Sequence, residues 1–218
     1  MTIEIECRLS GRILFSHEAE DNTTRLTLEA AVFADANLTG AYLVSANLAD
    51  ANLAGANLAD ANLADANLAD ANLADANLAG ANLADANLAG ANLVSANLAN
   101  ANLVGAYLVG ANLADANLAD ANLAGANLTG TYLAGANLTG ANLAGEILTK
   151  APICIRNLTW PVLITEGFMR IGCQRHSHEE WKSFDDDAIG RMERRAIDFW
   201  AQWKSPLLTV CDKHAATK

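Results

Sequence analysis

Apolar residues in the middle of the chain recur with a period of five. From Ala31 to Lys150 a five-residue unit repeats 24 times without insertion or deletion, and 19 copies begin Ala-Asn-Leu. A helix advances about 100° per residue, so a Leu at every fifth position would move round all its faces. A strand alternates faces, so the same Leu would point in and out by turns. Burying every Leu therefore requires the backbone to turn once per unit.

Positions within the unit divide into inward, outward and corner residues. Leu and the Ala two residues before it share one face of an extended segment, which we expect to point inward, with Asn pointing outward. The fifth position is Gly in 11 copies, Asp in 9, Ser in 2, Asn in 1 and Lys in 1, all turn-forming residues or residues that a turn tolerates. Gly there favours a type II turn and Asp a type I-like turn, so we predict both turn types along one chain.

Four such corners close a square coil of 20 residues. The 24 units then predict about six coils, stacked by parallel strand pairing at about 4.8 Å into a rod about 29 Å long. Burying each Leu contributes roughly 1.5–3 kcal/mol, so these side chains should dominate stability. The expected core residues are Phe33, Leu38, Leu43, Leu48, Leu53, Leu93 and Leu148.

The unit Ala-(Asp/Asn)-Leu-x-x resembles that of the pentapeptide repeat family, and it does so over 24 consecutive copies. The resemblance implies an all-β solenoid, a right-handed quadrilateral parallel β-helix, and the handedness rests on the resemblance alone. Some quinolone-resistance proteins of this family mimic DNA and bind gyrase. This chain looks like them in fold and in charge sign, but it has no inserted loop and keeps closer to the consensus.

Two segments without the repeat flank the predicted β-helix of residues 33–150. Residues 1–32 predict an N-terminal cap, with a β-hairpin followed by a short helix that Asp21, Asn22, Thr23 or Thr24 would begin. Residues 151–218 predict a hairpin from Val162 to Ile171, a capping box at Ser177–Glu180, and a longer helix after Asp185–Asp187.

The open end of a β-helix exposes strand edges and a Leu-lined core, which invite association. We therefore expect the helical segment 151–218 to be a C-terminal cap, and it is similar to the C-terminal region of some phage and bacterial pentapeptide repeat proteins. A homodimer through the C-terminal helices is the alternative use of its aromatic side chains. The candidate residues for capping or dimerisation are Trp181, Phe199, Trp200 and Trp203.

Charge is distributed unevenly along the chain, whose formal net charge is −11. Residues 31–150 have ten acids against the single Lys150, a balance that should repel nucleic acid and anionic membranes. Nine corner Asp over about 29 Å give about half the linear charge of duplex DNA, which has one charge per about 1.7 Å. The acids form either a solubilising sheath or a DNA-like surface, and the candidate partner-facing acids are Asp50, Asp65, Asp70 and Asp85.

Catalytic and metal-binding patterns are missing from the sequence. No His occurs in the repeat, and the four cysteines have no paired spacing, which predicts reduced thiols. The run from Cys173 to His178 offers one thiol and two imidazoles, which could be part of a zinc site, but a fourth ligand is not evident and the spacing is not a standard one. We therefore predict no catalytic residue, cofactor or metal. No apolar run approaches about 18 residues and the N-terminus does not read as a signal peptide, so we expect a soluble cytoplasmic protein.

The function that these observations favour is a non-enzymatic structural or binding scaffold. The alternative is an acidic DNA mimic that binds DNA gyrase, another topoisomerase or another DNA-binding protein. Natural repeats drift, whereas these copies are nearly identical. The uniformity favours a consensus-designed array, with very recent duplication as the other explanation, and it predicts high thermal stability.

Overall fold

The computed structural model of the protein describes residues 1–20, 23–143, 146–148, 152–155, 158–160, 162–193 and 195–216. The chain divides into two compact units, Met1–Thr149 and Lys150–Lys218. Among the described residues, none of the helices has both the length and the apolar character that crossing a bilayer requires.

The first unit begins with the expected hairpin and helix. Strand β1 (Thr2–Glu6) pairs antiparallel with β2 (Ile13–Glu18). Helix α1 (Thr24–Phe33) follows Thr23, whose hydroxyl oxygen accepts the N–H of Leu26 at 3.2 Å. Thr23 therefore caps the helix, while the alternative caps at positions 21 and 22 lie outside the described residues.

The repeat then forms a four-sided parallel coil. Parallel β-bridges pair each outward residue with the residue 20 positions later. The first pair in this series is Tyr42 with Asn62 and the last is Asn122 with Asn142. Between bridges the chain bends every five residues, where the N–H of one inward Ala donates to the preceding Leu carbonyl, as from Ala66 to Leu63 at 3.1 Å. A circuit of 20 residues with four bends places chemically equivalent residues directly above one another.

The prediction of two turn types was wrong, because every described corner from Gly40 to Gly140 has the same sign of φ. The Gly corners have φ of +67° to +75°, and the Asp, Ser and Asn corners have φ of +56° to +59°. A type I turn needs a negative φ at this position. Because each corner from Gly40 to Asp120 donates its N–H to a carbonyl of the next coil, stacking imposes the same bend on Gly and Asp corners. Asp and Asn tolerate the left-handed region better than most side chains do.

The predicted Leu core is present, with one exception. Leu38, Leu48, Leu53 and Leu93 are fully buried, and so are Ala51 and Ala91, the inward Ala residues beside the last two. Leu43 and Leu148 are also buried.

Phe33 was wrongly assigned to the core. It is the last residue of α1, and 94% of its surface is exposed. The helix extends into the first apparent repeat unit, so the chain has not yet entered the coil at this point. Leu38, five residues later, is the first Leu on the axis.

The last repeat unit does not continue the coil. Strand β3 (Asn142–Leu143) pairs antiparallel with β4 (Glu146–Ile147), so the chain reverses direction between them. Leu148 remains buried, and its N–H donates to the carbonyl of Ala141 at 2.9 Å. The parallel coil thus ends at Leu143, and the predicted boundary between residues 150 and 151 lies outside the described residues.

The second unit contains a four-stranded antiparallel sheet followed by three helices. The strands pair in chain order, and they are β5 (Ile153–Ile155), β6 (Val162–Ile164), β7 (Phe168–Ile171) and β8 (Gln174–Ser177). The helices are α2 (His178–Ser183), α3 (Asp186–Met192) and α4 (Ala196–Ala216). The predicted hairpin is β6–β7, while β5 and β8 extend it on both sides.

The helix starts in this unit follow the sequence, but one helix length does not. The capping box at Ser177 is formed, and the Asp185 side chain accepts the N–H of Ala188. The single long helix predicted after Asp185 is wrong, because α3 ends at Met192 and α4 begins at Ala196. Pro206 lies inside α4 and does not end it.

Candidate functional site

The outward Asn side chains make two kinds of hydrogen bond. The Asn67 Oδ1 accepts the N–H of Ala69 at 3.2 Å within the same unit. The Asn67 Nδ2 donates to Oδ1 of Asn47, one coil earlier, at 3.3 Å. Asn therefore satisfies a backbone group in its own unit and links its coil to the previous one.

Every backbone N–H is hydrogen-bonded in a typical unit such as Ala66–Asp70. The N–H groups of its second, third and fifth residues donate to carbonyls of adjacent coils at 2.9, 2.7 and 2.8 Å. The first N–H donates to Leu63 across the corner at 3.1 Å, and the fourth donates to the Asn67 side chain at 3.2 Å. Since all five N–H donors are used, a partner would meet mainly the two trailing side chains of the unit.

One side of the coil has an uninterrupted ladder of Asn side chains, each donating to the Asn one coil earlier. Its members are Asn37, Asn57, Asn77, Asn97, Asn117 and Asn137. Each of the other three sides contains one Tyr in place of Asn, at Tyr42, Tyr107 or Tyr132. These Tyr residues lie on different sides of the coil and therefore form no shared aromatic patch.

The predicted partner-facing acids are all exposed at corners. Asp50 and Asp70 stack in one column of corners, 20 residues apart, and Asp65 and Asp85 stack in another. No Lys or Arg occurs from Thr27 to Thr149 to neutralise them. The structure therefore brings these acids together only in pairs, on two different corners of the coil.

Sequence reasoning missed that several corner Asp side chains lie against a Gly of the next coil. A Cβ atom built on Gly90 would collide with the Asp70 carboxylate, and Gly105 has the same relation to Asp85. The same arrangement occurs in the columns that contain Gly80, Gly135 and Gly140. A signal existed in the sequence, since an Asp followed by a Gly exactly one 20-residue circuit later recurs along the repeat. These carboxylates are therefore directed along the coil, toward the Gly at the corresponding corner of the next coil.

The candidate dimer aromatics belong to the core of the second unit. Trp181, Phe199 and Trp200 are 2%, 6% and 2% exposed, and Trp203 packs against the same core. The Trp181 Nε1 also donates to the carbonyl of Met169 at 2.6 Å. The first three side chains thus have no surface to offer a dimer, and a homodimer through these helices stays a prediction that would need the exposed side of α4.

The Cys-His run of the second unit has a packing role. The His176 ring packs edge-on against Trp181 and Phe184, with ring centroids 5.2 and 4.8 Å apart. Cys173 is exposed. Among the described residues, no three His, Cys, Asp or Glu side chains come together in a group that could hold a metal ion.

Cys7, which directly follows β1, has a perturbed thiol. Its pKa is lowered to about 7, chiefly by a hydrogen bond from the Ser10 hydroxyl, then by backbone hydrogen bonds from Leu9 and Ser10 and by the charge of Arg12. Sequence reasoning gave no indication of this thiol, because the effect arises from the tight turn that follows the strand.

Comparisons with known proteins agree with the repeat geometry. A family model described as pentapeptide repeats matches eight copies at residues 31–70, 46–83, 76–114 and 116–151, just over half of the chain. No curated protein sequence matches the chain.

Solved structures of repeat proteins also resemble it. A pentapeptide repeat protein of the Arabidopsis thaliana thylakoid lumen is 36% identical over 42% of this chain and 63% of that chain, with a TM-score of 0.41. HetL, involved in heterocyst differentiation regulation in Nostoc sp., is 37% identical over 50% of this chain and 62% of that chain, with a TM-score of 0.21. QnrB1, a plasmid-mediated fluoroquinolone resistance protein, is 17% identical over 50% of this chain and 62% of that chain, with a TM-score of 0.23. The chain spans less than two thirds of the length of these relatives.

Proposed function

The chain belongs to the pentapeptide repeat family, and from that premise we propose that it is a non-enzymatic scaffold that binds a protein partner through its corner side chains. Proteins of this family fold as right-handed quadrilateral β-helices and are generally non-enzymatic structural repeat proteins. In this proposal the repeat of this chain forms about six coils, between an N-terminal cap in residues 1–32 and a C-terminal cap in residues 151–218.

Contacts of the first coil support the N-terminal cap. The N–H of Tyr42 donates to the Glu6 carbonyl at 2.7 Å, where a preceding coil would otherwise provide the acceptor. The Glu29 carboxylate of α1 accepts the N–H of Asn52 at 2.8 Å in the same way. Hairpin and helix thus cover strand edges that would otherwise be open to association.

The observation that carries the scaffold proposal is the full structural use of the repeat unit. Leu and Ala fill the axis, and Asn satisfies the backbone and links the coils. The trailing residues vary; the fourth is partly exposed in most units, and the fifth, at the corner, is exposed in most units and carries the acids. A partner that recognises this surface must therefore recognise mainly the arrangement of corner carboxylates.

A pull-down comparison tests this proposal. The full-length protein is immobilised beside a variant with Asn at Asp50, Asp65, Asp70 and Asp85, and beside a matched variant with Asn at Asp60, Asp75, Asp115 and Asp120. Both variants lose four charges, so they differ only in which corners are neutralised. We expect a bound protein that the wild type and the matched variant retain and the first variant loses. If nothing is retained, or both variants retain the same proteins as the wild type, the corner-binding proposal is wrong.

An acidic DNA mimic that binds gyrase or another DNA-binding protein is the second candidate. The observation that favours it is the row of exposed corner Asp without an intervening base from Thr27 to Thr149. Such a surface would attract proteins whose binding sites are built for phosphate charge.

Gyrase supercoiling provides the direct test of mimicry. Micromolar wild-type protein should inhibit supercoiling, and inhibition should weaken as salt concentration rises. The variant neutralised at Asp50, Asp65, Asp70 and Asp85 should lose the inhibition. Absence of inhibition by the wild type at every workable concentration would exclude gyrase as the partner and leave the scaffold proposal unaffected.

A further inference from the structure

The second unit contains an apolar cavity of about 120 Å³. It lies between the turn that joins β7 to β8 and the two helices α3 and α4. The side chains that give the cavity its character are Trp160, Trp181, Ile189, Met192, Phe199 and Trp200. Most of the wall is therefore aromatic ring or aliphatic surface.

The cavity has the size of a single aromatic ring. An apolar cavity of about 150 Å³ in another protein stays dry and binds benzene. Trp160 and Phe199 already meet edge to face, with ring centroids 5.1 Å apart, and Trp181 and Trp200 lie tilted at the same separation. A planar ring placed among them would gain the same kinds of contact.

One wall residue has an unused polar group. The Trp200 side chain is 2% exposed, and its Nε1 is buried without a hydrogen-bond partner among the described residues. Trp181 shows the usual arrangement, since its Nε1 donates to the carbonyl of Met169 at 2.6 Å. Buried indole N–H groups normally find an acceptor, so the unpaired Trp200 donor of this wall residue is a group that a ligand with an acceptor atom can satisfy.

The charge of the residues that line the cavity also limits the charge of the ligand. The described lining includes the carboxylate of Glu193 and no Lys, Arg or His. An anionic ligand would be unpaired in this apolar space, which is strongly unfavourable. A neutral ligand is compatible with both the rings and the carboxylate.

We propose that this cavity is a binding site for a neutral, single-ring aromatic molecule with a hydrogen-bond acceptor, which accepts the Nε1–H of Trp200. The site lies within the second unit and is independent of the corner acids. The chain would then combine a partner-binding solenoid with a small-molecule site.

Benzene and pyridine are matched probes, because they have nearly the same size and differ by one ring nitrogen acceptor. Each is titrated into full-length protein with ¹⁵N-labelled indoles at pH 8, where pyridine is neutral. We expect a saturable downfield shift of the Trp200 indole N–H with pyridine, and no downfield shift with benzene. The indole signal of Trp181, already hydrogen-bonded, is the internal control, and Trp200→Phe assigns the Trp200 signal by its loss.

Substitutions that fill the cavity test whether pyridine binds there. Ala196 lines it at the start of α4 and is partly exposed, so Ala196→Leu should fill the space and abolish the pyridine shift. Met192→Phe provides the same test if the first variant does not fold. The proposal is overturned if neither probe gives a saturable change up to its solubility limit, if benzene shifts the Trp200 signal downfield as pyridine does, or if the pyridine shift persists in a folded filled-cavity variant.

Discussion

At the scale of the residue, the left-handed corner determines which side chains the repeat accepts. An ordinary L-residue in this region loses about 1–2 kcal/mol, and Gly, Asn and Asp lose less. Asp also places its carboxylate against the next coil where that coil has a Gly, as Asp70 does over Gly90. The acids of this repeat are therefore compatible with its backbone as well as with a partner.

Leu93 and its neighbour Asn92 provide a test of the inward and outward assignments. Leu93→Ala should lower the free energy of unfolding by about 2–5 kcal/mol, because it leaves a cavity on a packed axis. Asn92→Ala should lower it by only about 1–2 kcal/mol, the loss expected for the hydrogen bond to Val94 and the link to Asn72. Denaturant unfolding followed by far-ultraviolet circular dichroism measures both, and equal losses would contradict the assignment.

Cys7 should react as a thiolate near neutral pH. Because hydrogen bonds from Ser10 and the backbone lower its pKa to about 7, its alkylation rate should rise through that pH and level off about one to two units above it. Ser10→Ala should move the midpoint upward. Iodoacetamide labelling followed by peptide mass spectrometry measures the rate, and a wild-type midpoint near the ordinary value of about 8.5 would refute the expected effect.

At the scale of the element, each side of the coil is a minimal strand. One outward residue per unit forms β-bridges with the coils on either side. At the corner, the N–H of the next inward Ala donates to the Leu carbonyl and holds the bend. No unit can persist alone, because its N–H donors need neighbouring coils. The second unit instead contains ordinary strands and helices, and the caps of α2 and α3 at Ser177 and Asp185 can be predicted from the local sequence.

The capping box of α2 should have a pH-dependent effect on the second unit. The Glu180 carboxylate accepts the hydroxyl and N–H of Ser177, which lowers its pKa below the ordinary value. Its contribution to stability is therefore present above the unfolded-state pKa of about 4.3 and is lost as pH falls through the lower folded-state pKa. Glu180→Gln should destabilise the unit at pH 6 and have little effect once the pH is below that value. Trp fluorescence reports on this unit alone, since all four Trp lie in it, and an equal effect at both pH values would contradict the prediction.

Several element boundaries were beyond the reach of the sequence pattern. Phe33 matches the spacing of the repeat, but α1 continues through it because Leu28 and Ala31 of that helix are already buried. Leu148 also matches the spacing, and its burial was predicted correctly although the chain has reversed direction there. A five-residue period determines which residues point inward, whereas the direction of the chain at its ends depends on contacts that the period does not contain.

At the scale of the whole molecule, the repeat determines the fold more fully than the function. The four-sided coil was predicted from the period and packing of the repeat, and its handedness from the family resemblance alone. The common corner geometry was not predicted, because stacking imposes one sign of φ on Gly and Asp corners alike. The cavity beside Trp200 had no sequence signal beyond a concentration of aromatic residues in the last sixty positions. It depends on how β7, β8, α3 and α4 pack, which no local pattern specifies.

Thermal unfolding tests the idea that the array approaches a consensus optimum. Nearly identical units leave few locally unfavourable choices, so the first unit should unfold well above the range of about 45–65 °C that is typical of mesophilic domains. Calorimetry or far-ultraviolet circular dichroism measures the transition. A midpoint below about 50 °C would count strongly against consensus idealisation.

The circuit length of 20 residues is the central claim, and disulfide trapping tests it most directly. Asn97 and Asn117 are bridge partners on adjacent coils, and paired strands lie about 4.8 Å apart, within the Cα separation that a disulfide spans. The variant Asn97→Cys with Asn117→Cys should therefore crosslink under mild oxidation, as read by mass spectrometry after Asp-specific digestion. Pairing Asn97→Cys with Asn112→Cys or with Asn122→Cys provides matched controls for circuits of three or five sides, and both should stay reduced. Preferential crosslinking in either control, with little in the first variant, would contradict the four-sided coil.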